Sequence, residues 1–275
     1  MKVLIFCDME GVCGIQSWEH TGGSSPLYEE GRRLYTAEAN AAARGALAGG
    51  ATSVVLQDGH GGAHSGGKPF MNWIPDQLEG GAHYVRGYRW ARYVEPLERG
   101  ECDAVGFLGA HSRAGSPDGV LCHTVNADGW HAVRVNGREV GESEILAAIA
   151  GAFGVPPICI AGDDAACSEL RASVGQGLVV APVKWGLGRY AARMLAPCDA
   201  RQTIEAAFRS AVGDREAWPA PLVVPSPVSI EVDMASPDRA VPYAAYAGVV
   251  LRGPRTVAAR GDNFWEAWSR LWQAS

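Results

Sequence analysis

Lys2 to Cys7 is an apolar run without polar alternation, the pattern of a strand buried on both faces of a parallel sheet. Ser25-Pro26 then places a capping hydroxyl before a proline at the first helical position. This predicts a helix from Leu27 to about Leu47 that stops at Gly49-Gly50. Further apolar runs follow at Ser53–Leu56, Ala104–Leu108 and Ile158–Ala161. A helix from about Ser143 to Phe153 precedes the last of these, and another follows Gly162-Asp163-Asp164. This rhythm predicts an α/β fold: a mostly parallel sheet flanked by helices. Pro219, Pro221, Pro225 and Pro227 suit an extended connector. They divide the chain into an α/β domain, 1–217, and a smaller C-terminal α+β subdomain, 218–275. In the latter, Val228–Val232 and Thr256–Ala259 read as strands, Ser236-Pro237-Asp238 as a turn and Asp262–Trp272 as a helix. Phe264, Trp265, Trp268 and Trp272 fall at helical spacing and read as packing residues.

A chain of 275 residues buries about three quarters of the surface it exposes when unfolded. No metal or disulfide is needed to hold such a fold, so a metal here would serve chemistry. Apolar residues make up 47% and charged residues 20%, which excludes disorder. The net charge is −6 and there is no basic run, so nucleic acid is not an expected partner. No apolar stretch reaches the ~18 residues of a membrane span. Asp8 interrupts the apolar N-terminus before it can form a signal-peptide core, so a cytoplasmic protein is expected. The seven cysteines are scattered, form no C-x-x-C pair and read as reduced thiols.

Three apolar runs end in similar chemistry. Asp8 and Glu10 follow the first, Asp58 and His60 the second, and His111 the third. In open parallel sheets ligands bind beyond the carboxyl ends of the strands, so these side chains are placed to converge. Carboxylates with imidazoles form a zinc-compatible set. Asp8 also reads as a cap and Glu10 as an exposed acid; His60 reads equally as a surface residue in an Asp turn. Asp58 is a candidate to orient His60 through its second ring nitrogen, and His64 reads as a loop residue. Arg113 suits either a substrate carboxylate or an internal acid. Glu142 and Glu144 both precede a helix, where an anion is favoured in any case. There is no G-x-S-x-G elbow, no Walker loop, and no G-x-G-x-x-G after the first strand. Cys122 and His123 are adjacent, and adjacent residues of a strand would face opposite ways.

Asp8-x-Glu10-Gly11, Asp58-Gly59-His60, Gly109-x-His111-x-Arg113, His123 and Val140-Gly141-Glu142 occur in this order. So do Tyr28-Glu29-x-Gly31-Arg32, Thr36-x-Glu38-Ala39-Asn40, Ala161-Gly162-Asp163-Asp164 and Val183-Lys184. Over most of its length the chain resembles the DppA-like D-aminopeptidases, zinc-dependent exopeptidases of dipeptide-transport operons. The resemblance implies two zinc ions per subunit sharing Asp8. Glu10 and His111 would complete one ion, His60 and Glu142 the other. It implies that His123 is the catalytic histidine, although the loop between His111 and His123 looks one residue longer than in the family. It also implies short peptides as substrates, a D-residue at the free N-terminus, and a large ring-like homo-oligomer, a decamer. Two other classes use a similar residue set: a two-metal phosphoesterase, which would turn over phosphate esters but not peptides, and a non-catalytic metal- or peptide-binding protein, which would not need His123.

Overall fold

The computed structural model describes residues 1–63, 67–87 and 94–272. His64 lies outside the described residues. Strands β1 (Lys2–Cys7), β2 (Ser53–Asp58), β3 (His83–Val85), β4 (Ala104–Ala110), β7 (Pro157–Asp163), β8 (Val179–Gly188) and β9 (Ala191–Met194) form one sheet in the order β3-β2-β1-β4-β7-β8-β9. Its neighbours pair in parallel except for β8 with β9. The fold is α/β, as the apolar runs predict.

Both faces of this sheet are covered, which explains why β1 shows no polar alternation. Val3, Ile5 and Cys7 share one apolar cluster with helices α1 (Pro26–Ala48) and α5 (Pro197–Gly213). Leu4 and Phe6 point the other way, into a cluster with α3 (Glu142–Ala152) and α4 (Asp164–Val174). Ser25 caps α1 through its hydroxyl, with Pro26 at the first helical position.

A second sheet, order β11-β12-β10-β5-β6, extends that second cluster. It joins β5 (Trp130–Val135) and β6 (Arg138–Glu139) to β10 (Val228–Met234), β11 (Val249–Leu251) and β12 (Thr256–Gly261). This sheet therefore draws two strands from within 1–217 and three from beyond it. Helix α7 (Phe264–Leu271) presents the buried rings of Phe264 and Trp268 to the same core. Two single-turn helices complete the numbering: α2 (Glu95–Glu98), and α6 (Pro237–Ala240) where a turn is expected.

From β1 the strand order runs outward through β2 and β3 on one side and through β4 and β7 on the other. The carboxyl ends of β1 and β4 thus flank the point where winding reverses, the usual ligand crevice of such sheets. The two ends lie very close. Asp8 N donates to Leu108 O and Gly11 N to Gly109 O, both at 2.8 Å. A Cβ on Gly11 would run into the Ala110 carbonyl, and one on Gly109 into the Asp8 carbonyl. Gly109 also has φ +66°.

Candidate metal centre

Asp8 and Glu10 leave the end of β1, His60 follows β2, His111 follows β4, and Glu142 opens α3. The structure brings all five together. Asp8, Glu10 and His60 form one potential ligand set; His111, His123 and Glu142 form a second. Asp8 links them: its Oδ1 is 3.0 Å from His60 Nδ1 and its Oδ2 is 3.4 Å from His111 Nε2. The pairing of Glu10 with His111, and of His60 with Glu142, is not what the geometry gives. Glu10 Oε2 lies 3.1 Å from His60 Nδ1, and Glu142 Oε1 lies 3.2 Å from His111 Nε2. The close apposition of β1 and β4 sets Asp8 between the two imidazoles and sends the other carboxylates to opposite sides.

Each histidine has one ring nitrogen committed to a backbone carbonyl. His60 Nε2 is 2.7 Å from Thr21 O, His111 Nδ1 is 3.0 Å from Ser112 O, and His123 Nδ1 is 2.9 Å from Leu121 O. A carbonyl only accepts, so these nitrogens carry the protons. In His60 and His111 the other nitrogen lies between two carboxylates. Glu10 Oε2 and His111 Nε2 are both sealed from solvent, and neither makes a well-directed hydrogen bond. Such a cluster needs either protonated rings or a cation.

In the absence of an ion the charges respond accordingly. Burial would lower the pKa of His60, but Glu10 and Asp8 outweigh it and hold that ring well above the ordinary imidazole value. Burial is likewise overridden at His111, by Glu142 and Asp8. Burial would lift the Asp8 carboxyl, yet the facing His111 and His60 hold it well below the usual carboxylate range. A divalent cation set among these ionised carboxylates would take the place of the ring protons that face them, and orientation by a carbonyl is the usual arrangement behind a metal-bound histidine.

His123 stacks on His111 with ring centroids 4.1 Å apart and 7° between planes. The edge of Trp18 packs against it at 5.5 Å. Its free Nε2 is 3.7 Å from Glu142 Oε1. Burial, and then the neighbouring His111, push its pKa down, so the ring is neutral at neutral pH. Residues 120–124 form no strand, and Leu121 takes φ +50°.

The remaining candidates divide clearly. Asp58 does not touch the His60 ring. It is fully buried and accepts from Asn72 N, Tyr35 Oη and the His60 backbone N–H, so it shapes the turn that presents the histidine. Glu144 accepts from Gly141 N at 2.9 Å and pairs with Arg138 and Ser173, a capping role facing away from the cluster. Arg113 takes the internal option: its guanidinium pairs with Glu139 at 3.0 Å and approaches Glu169, outside the lining of the cleft.

A cleft of about 440 Å³ opens over Asp8, Glu10, His60, His123 and Glu142. Trp18, Phe70, Val125 and Trp272 supply apolar wall. Sequence reasoning did not assign these four to the site. They come from loops and from the end of α7, with no motif to mark them. Val125 takes φ +65°, rare for a β-branched residue. This turns its N–H onto Glu142 Oε1 at 2.6 Å.

The chain is similar to known proteins over nearly its whole length. A curated D-aminopeptidase from Bacillus subtilis (strain 168) is 28% identical over 273 residues, 98% of this chain and 95% of that protein. The solved structure of the Zn-dependent D-aminopeptidase DppA from Bacillus subtilis, a self-compartmentalizing protease, superposes with TM-score 0.88 at 27% identity, covering 99% of this chain and 96% of that one. The family described as D-aminopeptidase matches residues 1–273. With that match running through every strand end that carries a candidate ligand, the chain belongs to the D-aminopeptidase family of peptidases.

Proposed function

We propose that this aminopeptidase binds two zinc ions per subunit and removes an N-terminal D-residue from short peptides. The observation that carries the reading is the matched pair His60 and His111. Each has one ring nitrogen tied to a carbonyl and the other set between two carboxylates. Asp8, Glu10 and His60 would hold one ion; Asp8, His111 and Glu142 the other. Zinc bound there supplies Lewis acidity toward a peptide carbonyl and lowers the pKa of water toward neutrality. Zinc and the D-configuration rest on the family and on the Bacillus relatives.

The side chains supply the rest. Thr21 O and Ser112 O fix the tautomers of His60 and His111. The Val125 N–H holds one oxygen of Glu142. His123, with Nδ1–H on Leu121 O, keeps a lone pair on Nε2 and can take a proton from water and return it to the leaving amine. Trp18, Phe70 and Trp272 narrow the cleft around a small substrate.

We propose further that the chain assembles into a closed homo-oligomer, as the self-compartmentalizing relative does. Leu187, Tyr190 and Met194, exposed on the β8–β9 hairpin, support an assembled state. The free state of all seven cysteines supports a reducing, cytoplasmic setting.

The test compares D-Ala-D-Ala, L-Ala-L-Ala and N-acetyl-D-Ala-D-Ala on zinc-loaded and chelated protein. Cleavage of the first alone, and only with zinc, is expected. Equal cleavage of the acetylated peptide excludes an aminopeptidase, and preference for the L-peptide rejects the stereochemistry. Turnover of phosphate esters without any peptide cleavage moves the chain to the phosphoesterase class.

A further inference from the structure

Lys184, in β8, is 1% exposed and takes no part in the chemistry above. Its ammonium donates to three backbone carbonyls of one loop: Glu10 O, Val12 O at 3.1 Å and Ile15 O at 2.6 Å. That loop starts at Asp8 and carries Glu10. An ammonium has three protons, and here all three are used on the segment that leaves β1.

The titratable groups around it come from three other elements. Asp163 at the end of β7, Glu38 in α1, Glu10 and the Cys13 thiol all bear electrostatically on Lys184. Glu38 accepts from Cys13 N at 3.0 Å, so the same loop is gripped from a second side. Asp163 accepts from Val120 N at 2.7 Å, tying the approach to His123 into the same group. A buried cation is costly unless it is paired and fully hydrogen-bonded. All of its bonds fall on the loop that carries Glu10.

We propose that Lys184 is a positioning residue for metal binding, its ammonium holding the Glu10–Ile15 loop, and with it the Glu10 carboxylate, in ligating register before an ion arrives. The inference rests on the reading of Asp8, Glu10 and His60 as a metal set. It goes further in assigning the preorganisation of that set to a residue on a distant strand. Removing a partner that orients a ligand typically weakens metal affinity 10–100-fold. Because Lys184 grips the carbonyls of the Glu10 side, the loss should be unequal between the two ligand sets.

The test is a zinc titration of the full chain against a chromophoric chelator, wild type beside Lys184→Met, with far-UV circular dichroism to confirm the fold. Lys184→Met is expected to weaken one of two binding events about 10–100-fold and leave the other near its wild-type value. Unchanged affinities, or equal loss at both events, overturn the proposal. If wild type takes only one ion, the two-zinc reading fails, while Lys184→Met still decides here: unchanged affinity for that ion overturns the positioning role. Hydrogen exchange on the wild-type protein gives an answer even if the variant does not fold. The amides of Gly11, Val12, Cys13 and Ile15, each hydrogen-bonded in the structure, should be as protected without zinc as with it. Protection that appears only on zinc loading would make the metal, not Lys184, the organiser of the loop.

Discussion

At the scale of single residues, the proposal separates groups that would hold the metal from groups that would act on substrate or that support the fold. His123→Ala would remove the proposed base, whose Nδ1 donates to Leu121 O. Turnover should fall ~10²–10⁴-fold while metal analysis still finds the wild-type zinc content. Loss of zinc along with activity would make His123 a ligand. Asp8 faces both imidazoles, so Asp8→Ala should lose both ions, whereas Glu142→Ala should chiefly weaken one. Glu144→Ala should leave zinc in place and lower stability by about 1–2 kcal/mol, read by urea denaturation, because it leaves Gly141 N without its cap. Glu38 gives a pH signature away from the ligands. Burial pushes its carboxyl up to about 8 from 4.5. Between those values the folded state holds a proton that the unfolded state has released, so stability falls as pH rises, by at most about 1.4 kcal/mol per pH unit. Glu38→Gln should remove that part of the slope in denaturation curves taken from pH 5 to 8.

At the scale of elements, the runs at Lys2–Cys7, Ser53–Asp58, Ala104–Ala110 and Pro157–Asp163 were legible because both faces of their sheet are covered. The ligand-bearing strand ends followed from those runs. Other elements carry weaker signals. β8 contains Pro182 and runs beyond its parallel neighbour to pair with β9, so it lacks a clean apolar run. α5 starts after Ala196 with no side-chain cap, and its buried face is partly small: Ala200, Ala207 and Ala211 beside Ile204 and Phe208. β5 does alternate, but its partner β10 lies far along the chain, and local pattern does not reveal such a pairing. The division of the five candidate ligands into two sets was also hidden, because it depends on how closely β1 and β4 approach. Gly109 is the tightest point of that approach. Gly109→Ala should strain a left-handed position and force the β4 end from Asp8, costing about 1–3 kcal/mol and lowering zinc retention in the same protein. A variant with wild-type melting and full zinc content would show that the strand ends tolerate separation.

For the whole molecule, an ion that binds only the folded chain adds stability by mass action. At a thousandfold excess over its Kd each site contributes about 4 kcal/mol. Chelation should therefore lower Tm by several degrees, and zinc should restore it; a Tm indifferent to chelator would deny a bound metal. No helix among the described residues is long and apolar enough to cross a membrane. Light scattering should find a mass several times the 29.0 kDa of one chain. The hold of Lys184 on Glu10 has one further consequence, for the order of events as the chain is made. The two residues are 174 positions apart, whereas the proposed ligands are complete by Glu142. A nascent chain that has just emerged past α3 would already carry every proposed metal-binding side chain but have neither β8 nor the Lys184 ammonium. If Lys184 positions the loop as proposed, ordered zinc binding at Glu10 would wait until β8 has been made and has paired.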